Sequence, residues 1–308
     1  MTVSSHLQTF LNKKIEDYSP ENGIGNPAQT VYRISVDYEE AENGDSLEGK
    51  IEAFAKDPKV GEVTELITGS FDFESASTTE GIINKLVELK DRFVNLKAIF
   101  IGDITYDESE ISWIQQSDIG PLLKAYPKLE HLQVRGGTTL SFSTLQHEHL
   151  RTLIIETGGL PPNVVKEVNE ARLPNLERLE LWLGSDNYGF ESTIDDFAPL
   201  LSGSLFPELR HLGLMNSEIQ DEVTIAITQS PVLGQLKVLD LSMGSLSDKG
   251  AQALLDSPGI RKLDFLNLRH HYLSEEMMAK LKTLGIRINM DDQEEADEED
   301  ERYAEVTE

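Results

Sequence analysis

The sequence predicts an α/β repeat solenoid, with a parallel sheet on the concave side and helices on the convex side. A leucine motif of the form LxxLxL recurs along most of the chain, and stretches of helical spacing fall between its copies. At 308 residues the chain also exceeds the usual reach of a single core, which an elongated array of stacked units accommodates.

The elements follow in chain order. Met1 to about Gly61 holds no clear copy of the motif and is expected to cap the open end of the array. Within it, Ser19 to Gln29 reads as a loop because Pro20, Gly23, Gly25 and Pro27 interrupt any period. Val31 to Val36 alternates as a strand does, and Leu47 to Ala55 suits a short helix. The solenoid is expected over residues 62–290, starting with a degenerate unit at Val63, Leu66 and Ile67.

Clear motif copies begin at Leu96, Leu129, Leu150, Leu176, Leu209, Leu236 and Leu263, with steps of 33, 21, 26, 33, 27 and 27 residues. Helical spacing lies between them at Ile82–Phe93, Val164–Val168 and Ala251–Leu255, and again at Met277–Leu284. Ser77 with Glu80 resembles a capping box, and Asn163, Asp221, Ser247 and Ser274 are plausible N-caps. One strand-helix unit cannot bury its own apolar face, whereas stacked neighbours share one core, so stability must come from the array. A last strand is expected at Ile286, Ile288 and Met290.

The stretch LKVLDLSMGSLSDKGAQALLDSPGIRKLDFLNL resembles the long, ribonuclease-inhibitor type of leucine-rich repeat. The segments GDITYDESEISWIQQSDIGPLL, YPKLEHLQVRGG, LERLELWLGSDNYG and LRHLGLMNSEI resemble more closely a family of bacterial cytosolic leucine-rich-repeat proteins. That likeness covers roughly residues 95–290. The genes of that family lie beside ATP-grasp and radical-SAM-type enzyme genes, which implies an accessory role in a small-molecule pathway and names no active residue. Where the repeat usually has Asn after the strand, this chain has Ser217, Gly244 and His271, so a regular asparagine ladder is not expected.

Composition excludes several functions. The formal charge of −28 disfavours nucleic acid, whose phosphates need clustered Lys and Arg. The absence of cysteine excludes disulfides, thiolate metal sites and cysteine nucleophiles. With no signal-peptide core and no long apolar run, a cytoplasmic protein without a membrane partner is expected. There is no HExxH, P-loop or GxSxG motif, so neither an enzyme, a metal nor a cofactor is expected.

Function should therefore lie on the surface that the motif exposes. Its leucines point into the core, so the residues between them point outward on the concave face. These are His131, Arg135, Glu156, Arg178, Glu180, Trp182, His211, Met215, Asp240, Phe265, Asn267 and Arg269, with Gly213 among them. Mixed charge interleaved with Trp, Phe and Met suits a protein or peptide partner. The long steps place insertions at one rim, Gly102–Ser117 and Gly184–Ser192. With the residues after a later strand they offer Asp103, Trp113, Asp186, Tyr188, His270 and His271 as a second candidate, a pocket for a small ligand or a divalent ion. The bland alternative is that Trp113 anchors its loop by packing and the acids face water. Residues 291–308 carry eleven acidic residues and one basic, about −10 of the total, and are expected to form a disordered tail.

Overall fold

The computed structural model describes residues 3–71, 77–298 and 301–306. Within them one sheet of twelve strands runs in strict chain order. Its strands are β1 (Thr9–Phe10), β2 (Lys13–Asp17), β3 (Thr30–Ile34), β4 (Glu65–Thr68), β5 (Ala98–Ile101) and β6 (His131–Arg135). They continue as β7 (Thr152–Glu156), β8 (Arg178–Gly184), β9 (His211–Ser217), β10 (Val238–Asp240), β11 (Phe265–Asn267) and β12 (Arg287–Asn289). All pairings are parallel except the β1–β2 hairpin, which folds back over the first edge. Strands sit about 4.8 Å apart and packed helices 8–10 Å, so a sheet backed by helices curves with its strands inside.

The helices lie between successive strands: α1 (Tyr38–Glu42), α2 (Leu47–Lys56), α3 (Glu80–Glu88), α4 (Gly120–Ala125), α5 (Pro162–Asn169), α6 (Ala198–Leu201), α7 (Gln220–Gln229), α8 (Asp248–Asp256) and α9 (Glu275–Leu281). The motif leucines and the apolar helix faces form one continuous core; Leu132, Leu153, Leu179, Leu212, Leu239 and Leu266 are all fully buried. At roughly 1.5–3 kcal/mol for each such side chain, the shared core stabilises units that could not stand alone.

The strand at 30–34 and the helix at 47–56 lie where the sequence placed them. The sheet crosses residue 61 without a break, because β3 pairs with β4 through Tyr32 and Leu66. The first residues thus extend the array rather than sit over its end. Ser247 and Ser274 cap α8 and α9 as expected, accepting from Lys249 N and Met277 N.

The other caps differ. Thr79, not Ser77, precedes α3, and its hydroxyl is spent on Gln116 and Ser117. Asn163 and Asp221 lie inside α5 and α7, because each is used across repeats. Asn163 donates to Leu140 O, while Asp221 accepts from Ser247 N, Ser247 Oγ and Gly250 N in the next unit. Asp248 holds Ser274 in the same way one repeat later, and Asp118 holds Ser143 N. At Asp221 and Asp248 a carboxylate at the start of one helix thereby secures the start of the next, where helix N–H groups would otherwise lack partners.

Strand ends turn through the left-handed region at Gly102, Gly136, Gly184, Asn216, Met243 and His270. Glycine is obligatory at Gly184, where a Cβ would lie 1.8 Å from Gly158 O. Among the described residues no helix is long and apolar enough to cross a membrane.

Candidate functional site

The outward strand positions do line one face, but much of that face is covered by the chain itself. In β2–β5 the apolar outward side chains are Ile15, Val31, Ile67, Ala98 and Phe100, and Phe10 closes over them to form a separate apolar cluster with Leu7 at its margin. Lys13, Glu65, Asp17 and Arg33 on the same face are paired with one another or with Asp103. The ring of Phe10 also meets that of His131 edge-on at 5.0 Å. Burial pushes the His131 imidazole down to about 4, so it is neutral in the folded protein.

The N-terminal segment is held by a buried charge hub. Asp103, fully buried after β5, receives Arg33 Nη1 at 2.8 Å and lies 3.5 Å from Arg135 Nη1. His6 Nδ1 lies 3.7 Å from the same carboxylate, and His6 Nε2 lies 3.3 Å from Glu108. Burial alone would raise the Asp103 carboxyl, but His6, Arg135 and Arg33 outweigh it and hold the group below its ordinary range. The same contacts raise His6 to about 9.

The other end of the chain docks as well. Asn216 grips the backbone of Val306 at both N–H and C=O, and Glu305 N donates to Met243 O. Arg269 makes a two-pronged bond to Glu305, 2.6 Å on each arm, and pairs with Asp292 at 2.7 Å. Val3 and Val306 enter one apolar cluster with Trp182, Met215 and Met243. Residues 301–306 therefore correct the expectation of a disordered tail: two buried apolar side chains, Ala304 and Val306, and the Arg269 pair oppose the loss of chain entropy. Residues 299–300 and 307–308 lie outside the described residues.

The candidates expected to project freely divide accordingly. His131, Arg135, Glu156, Glu180, Trp182, Met215 and Asp240 are buried. Arg135 is spent on Glu156 at 2.7 Å and on Ile104 O at 2.8 Å. His211, Phe265, Asn267 and Arg269 are half-buried, and the Arg178 side chain remains 44% exposed. Between them and residues 5–11 lies a cavity of about 340 Å³. Its wall comprises the outward positions of β6–β11, so the projection from LxxLxL found the right face and missed its lid.

The rim candidates do not converge on one site: of them Tyr188 alone lines the surface cavity of about 510 Å³ that it shares with Ser185, Asn187, Glu218 and Tyr303. Asp103 is consumed in the hub, and His271 is fully buried, its ring nitrogens at 3.1 Å from Met290 O and Leu273 N. His270 lies 3.3 Å from Tyr303 O and 3.7 Å from Glu294. Asp186 is exposed, Tyr188 half-buried, and Trp113 stands 65% exposed rather than anchoring its loop.

Three residues of the concave face, Glu180 and Asp240 in the cavity wall and His211 beside them, come together although the sequence offered them only one by one. Glu180 and Asp240 both lie opposite Gly213 in the ladder, and His211 precedes it by two residues on the same face. Their ligand atoms all lie within 4.8 Å of one another. A Cβ at Gly213 would come within 2.8 Å of Glu180 Cγ and 3.0 Å of Met215 Sδ, so glycine is what lets the groups converge. Asp240 is raised by burial, only partly offset by Asn267 and Ser242, and the nearby Glu180 adds to the rise. Glu180 is lowered: burial opposes this, but His211 and Arg178 prevail.

The repeat of strand and full helix, and the outward strand face it creates, define a leucine-rich-repeat solenoid. A Bacteroides fragilis protein, crystallised as a structural-genomics target, is 36% identical and superimposes with a TM-score of 0.83, the match covering 90% of this chain and 77% of that one. The chain belongs to the same family as that protein. A Listeria monocytogenes internalin is 15% identical with a TM-score of 0.36, covering 82% of this chain and 57% of its own, a likeness too slight to carry an argument. No family model and no curated protein matches the chain.

Proposed function

We propose that this protein is a non-catalytic binding module that takes a segment of a protein or peptide partner onto the part of its concave face that its own ends leave open. The observation that carries the reading is the cavity of about 340 Å³ beside Arg178, Asp240 and Asn267, bordered by the chain's own residues 5–11 with the short strand Thr9–Phe10 among them. That the chain lays its own residues against this face supports a polypeptide as its occupant. Walls that mix apolar side chains with charged and polar ones suit recognition of a polypeptide.

Arg178 and Phe265, with Arg287 stacked at 4.5 Å over the Phe265 ring, supply the accessible anchors. Aromatic and arginine side chains are those on which binding energy concentrates. The acidic net charge argues against a polyanionic partner. A cytoplasmic accessory role beside a biosynthetic enzyme, as the resemblance implies, fits this reading.

The test is affinity capture followed by mass spectrometry with wild type and with Arg178→Gln, which keeps a donor for Glu180, combined with Arg287→Glu. These exposed positions are better targets than Arg135, Trp182 or Arg269, whose loss would disturb internal packing. Loss of a captured partner with an unchanged melting temperature supports the reading, and an unchanged capture profile rejects it.

A further inference from the structure

We propose that Glu180, His211 and Asp240 form a divalent transition-metal site on the concave face, where Glu180 and Asp240 line the cavity and His211 adjoins them. Each residue comes from a different neighbouring strand, β8, β9 and β10, so the ladder fixes their spacing rather than a loop. One imidazole nitrogen and two carboxylates make a mixed N/O donor set of the kind that suits zinc and its neighbours.

Two features favour an ion over a simple polar network. First, His211 Nε2 is buried and, although 2.7 Å from Glu180 Oε1, lacks the angular geometry of a hydrogen bond to it. A ring nitrogen and a carboxylate oxygen converging off the N–H axis are placed as two ligands of one ion are. Second, two carboxylates meet across Gly213 with both side chains largely removed from water, an arrangement that calls for positive charge.

Arg178 provides some of that charge now, with Nη2 at 2.7 Å and Nε at 2.9 Å from Glu180 Oε1. It competes with an ion for Glu180, but it is exposed enough to swing into solvent. Asp240 is oriented by Ser242 and by Asn267 Nδ2 at 2.8 Å, the outer support that metal carboxylates generally have. Three protein ligands would leave a coordination position facing the cavity.

The test uses the chelator-treated full chain, titrated calorimetrically with ZnCl2, and the visible spectrum after adding CoCl2. One equivalent of ion should bind, and cobalt should give the absorption of an imidazole-ligated, low-coordinate centre. His211→Ala and Asp240→Asn should each weaken binding by about tenfold or more, while Arg178→Ala should leave it as tight or tighter because it removes the competitor. His149→Ala, at a surface histidine away from the cavity, should change nothing. Absence of one-equivalent binding, a featureless cobalt spectrum, or affinity unaltered in His211→Ala would overturn the proposal. The cobalt spectrum is read on the unaltered chain and so decides even if a variant misfolds. Partner capture plays no part in these readings, so this site stands or falls separately from the proposed function.

Discussion

The concave positions of β2–β5 and those of β8–β11 belong to the same sheet, in register, yet they meet opposite fates. In the first region the apolar members Ile15, Val31, Ile67, Ala98 and Phe100 lie under the chain's own Phe10, and the charged members Lys13, Glu65, Asp17 and Arg33 are all paired. In the second, Arg178, Glu180, His211, Asp240 and Asn267 share the face with Trp182, Met215 and Phe265, and it stays partly open around a cavity. The backbone architecture does not decide which surface is available; the chemistry of alternate strand residues does. Apolar rows gain by burial under any flexible segment nearby, whereas charged rows are covered only where every group finds a partner.

The contrast can be broken most severely at the hub. Asp103→Asn leaves Arg33 and Arg135 short of a buried counter-charge and should cost about 3–5 kcal/mol in chemical denaturation. Phe10→Ala should cost about 3 kcal/mol and raise hydrogen exchange across β3–β5, while leaving β9–β11 unchanged. If exchange rises equally in both regions, the segment is not a local lid.

The closed region should also carry the pH dependence. His131 has a folded pKa of about 4 against an ordinary 6.5, so the unfolded chain takes up the proton first. Its contribution is complete above 6.5 and is lost as pH falls towards 4, by about 3 kcal/mol. His6 is raised to about 9, so its contribution is complete below 6.5 and lost as pH rises through 9. Denaturation curves at pH 4.5, 7 and 9.5 should therefore pass through a maximum, and His131→Leu should flatten the acid side.

Smaller effects sharpen the other side of the comparison. Glu305→Gln removes the two-pronged bond to Arg269 and should cost about 1 kcal/mol, with faster proteolysis of the C-terminal segment. Arg178→Ala should cost about 0.5–1 kcal/mol, because its half-exposed guanidinium pairs with the buried Glu180 carboxylate. A large loss there would mean that the open region is structural after all.

The fold was legible because its signal is periodic: the leucine spacing set the strands, their parallel order and the outward positions. Legibility ended where periodicity does. Residues 3–12 and 301–306 carry no repeat, so nothing in Phe10, His6 or Val306 marks them as contacts with residues far away in the chain. Asp103 looked like a rim acid because its neighbours Tyr106, Asp107 and Glu108 are those of a polar loop. Its burial depends on Arg33 and Arg135, 70 and 32 positions away. Gly213 sat in the outward row as an empty position, and its meaning emerged only with Glu180 and Asp240 on either side.

The absence of cysteine in the natural sequence makes the central contrast directly measurable. Ala98 and Arg178 occupy the same row of the ladder, linked in register through His131 and Thr152. With Ala98→Cys and Arg178→Cys prepared separately, the rate of labelling by a thiol reagent reports how open each region is. The expected result is that the thiol at 98 reacts roughly 100-fold more slowly than that at 178, and that adding Phe10→Ala raises the rate at 98 alone. Equal rates at the two positions would contradict the account.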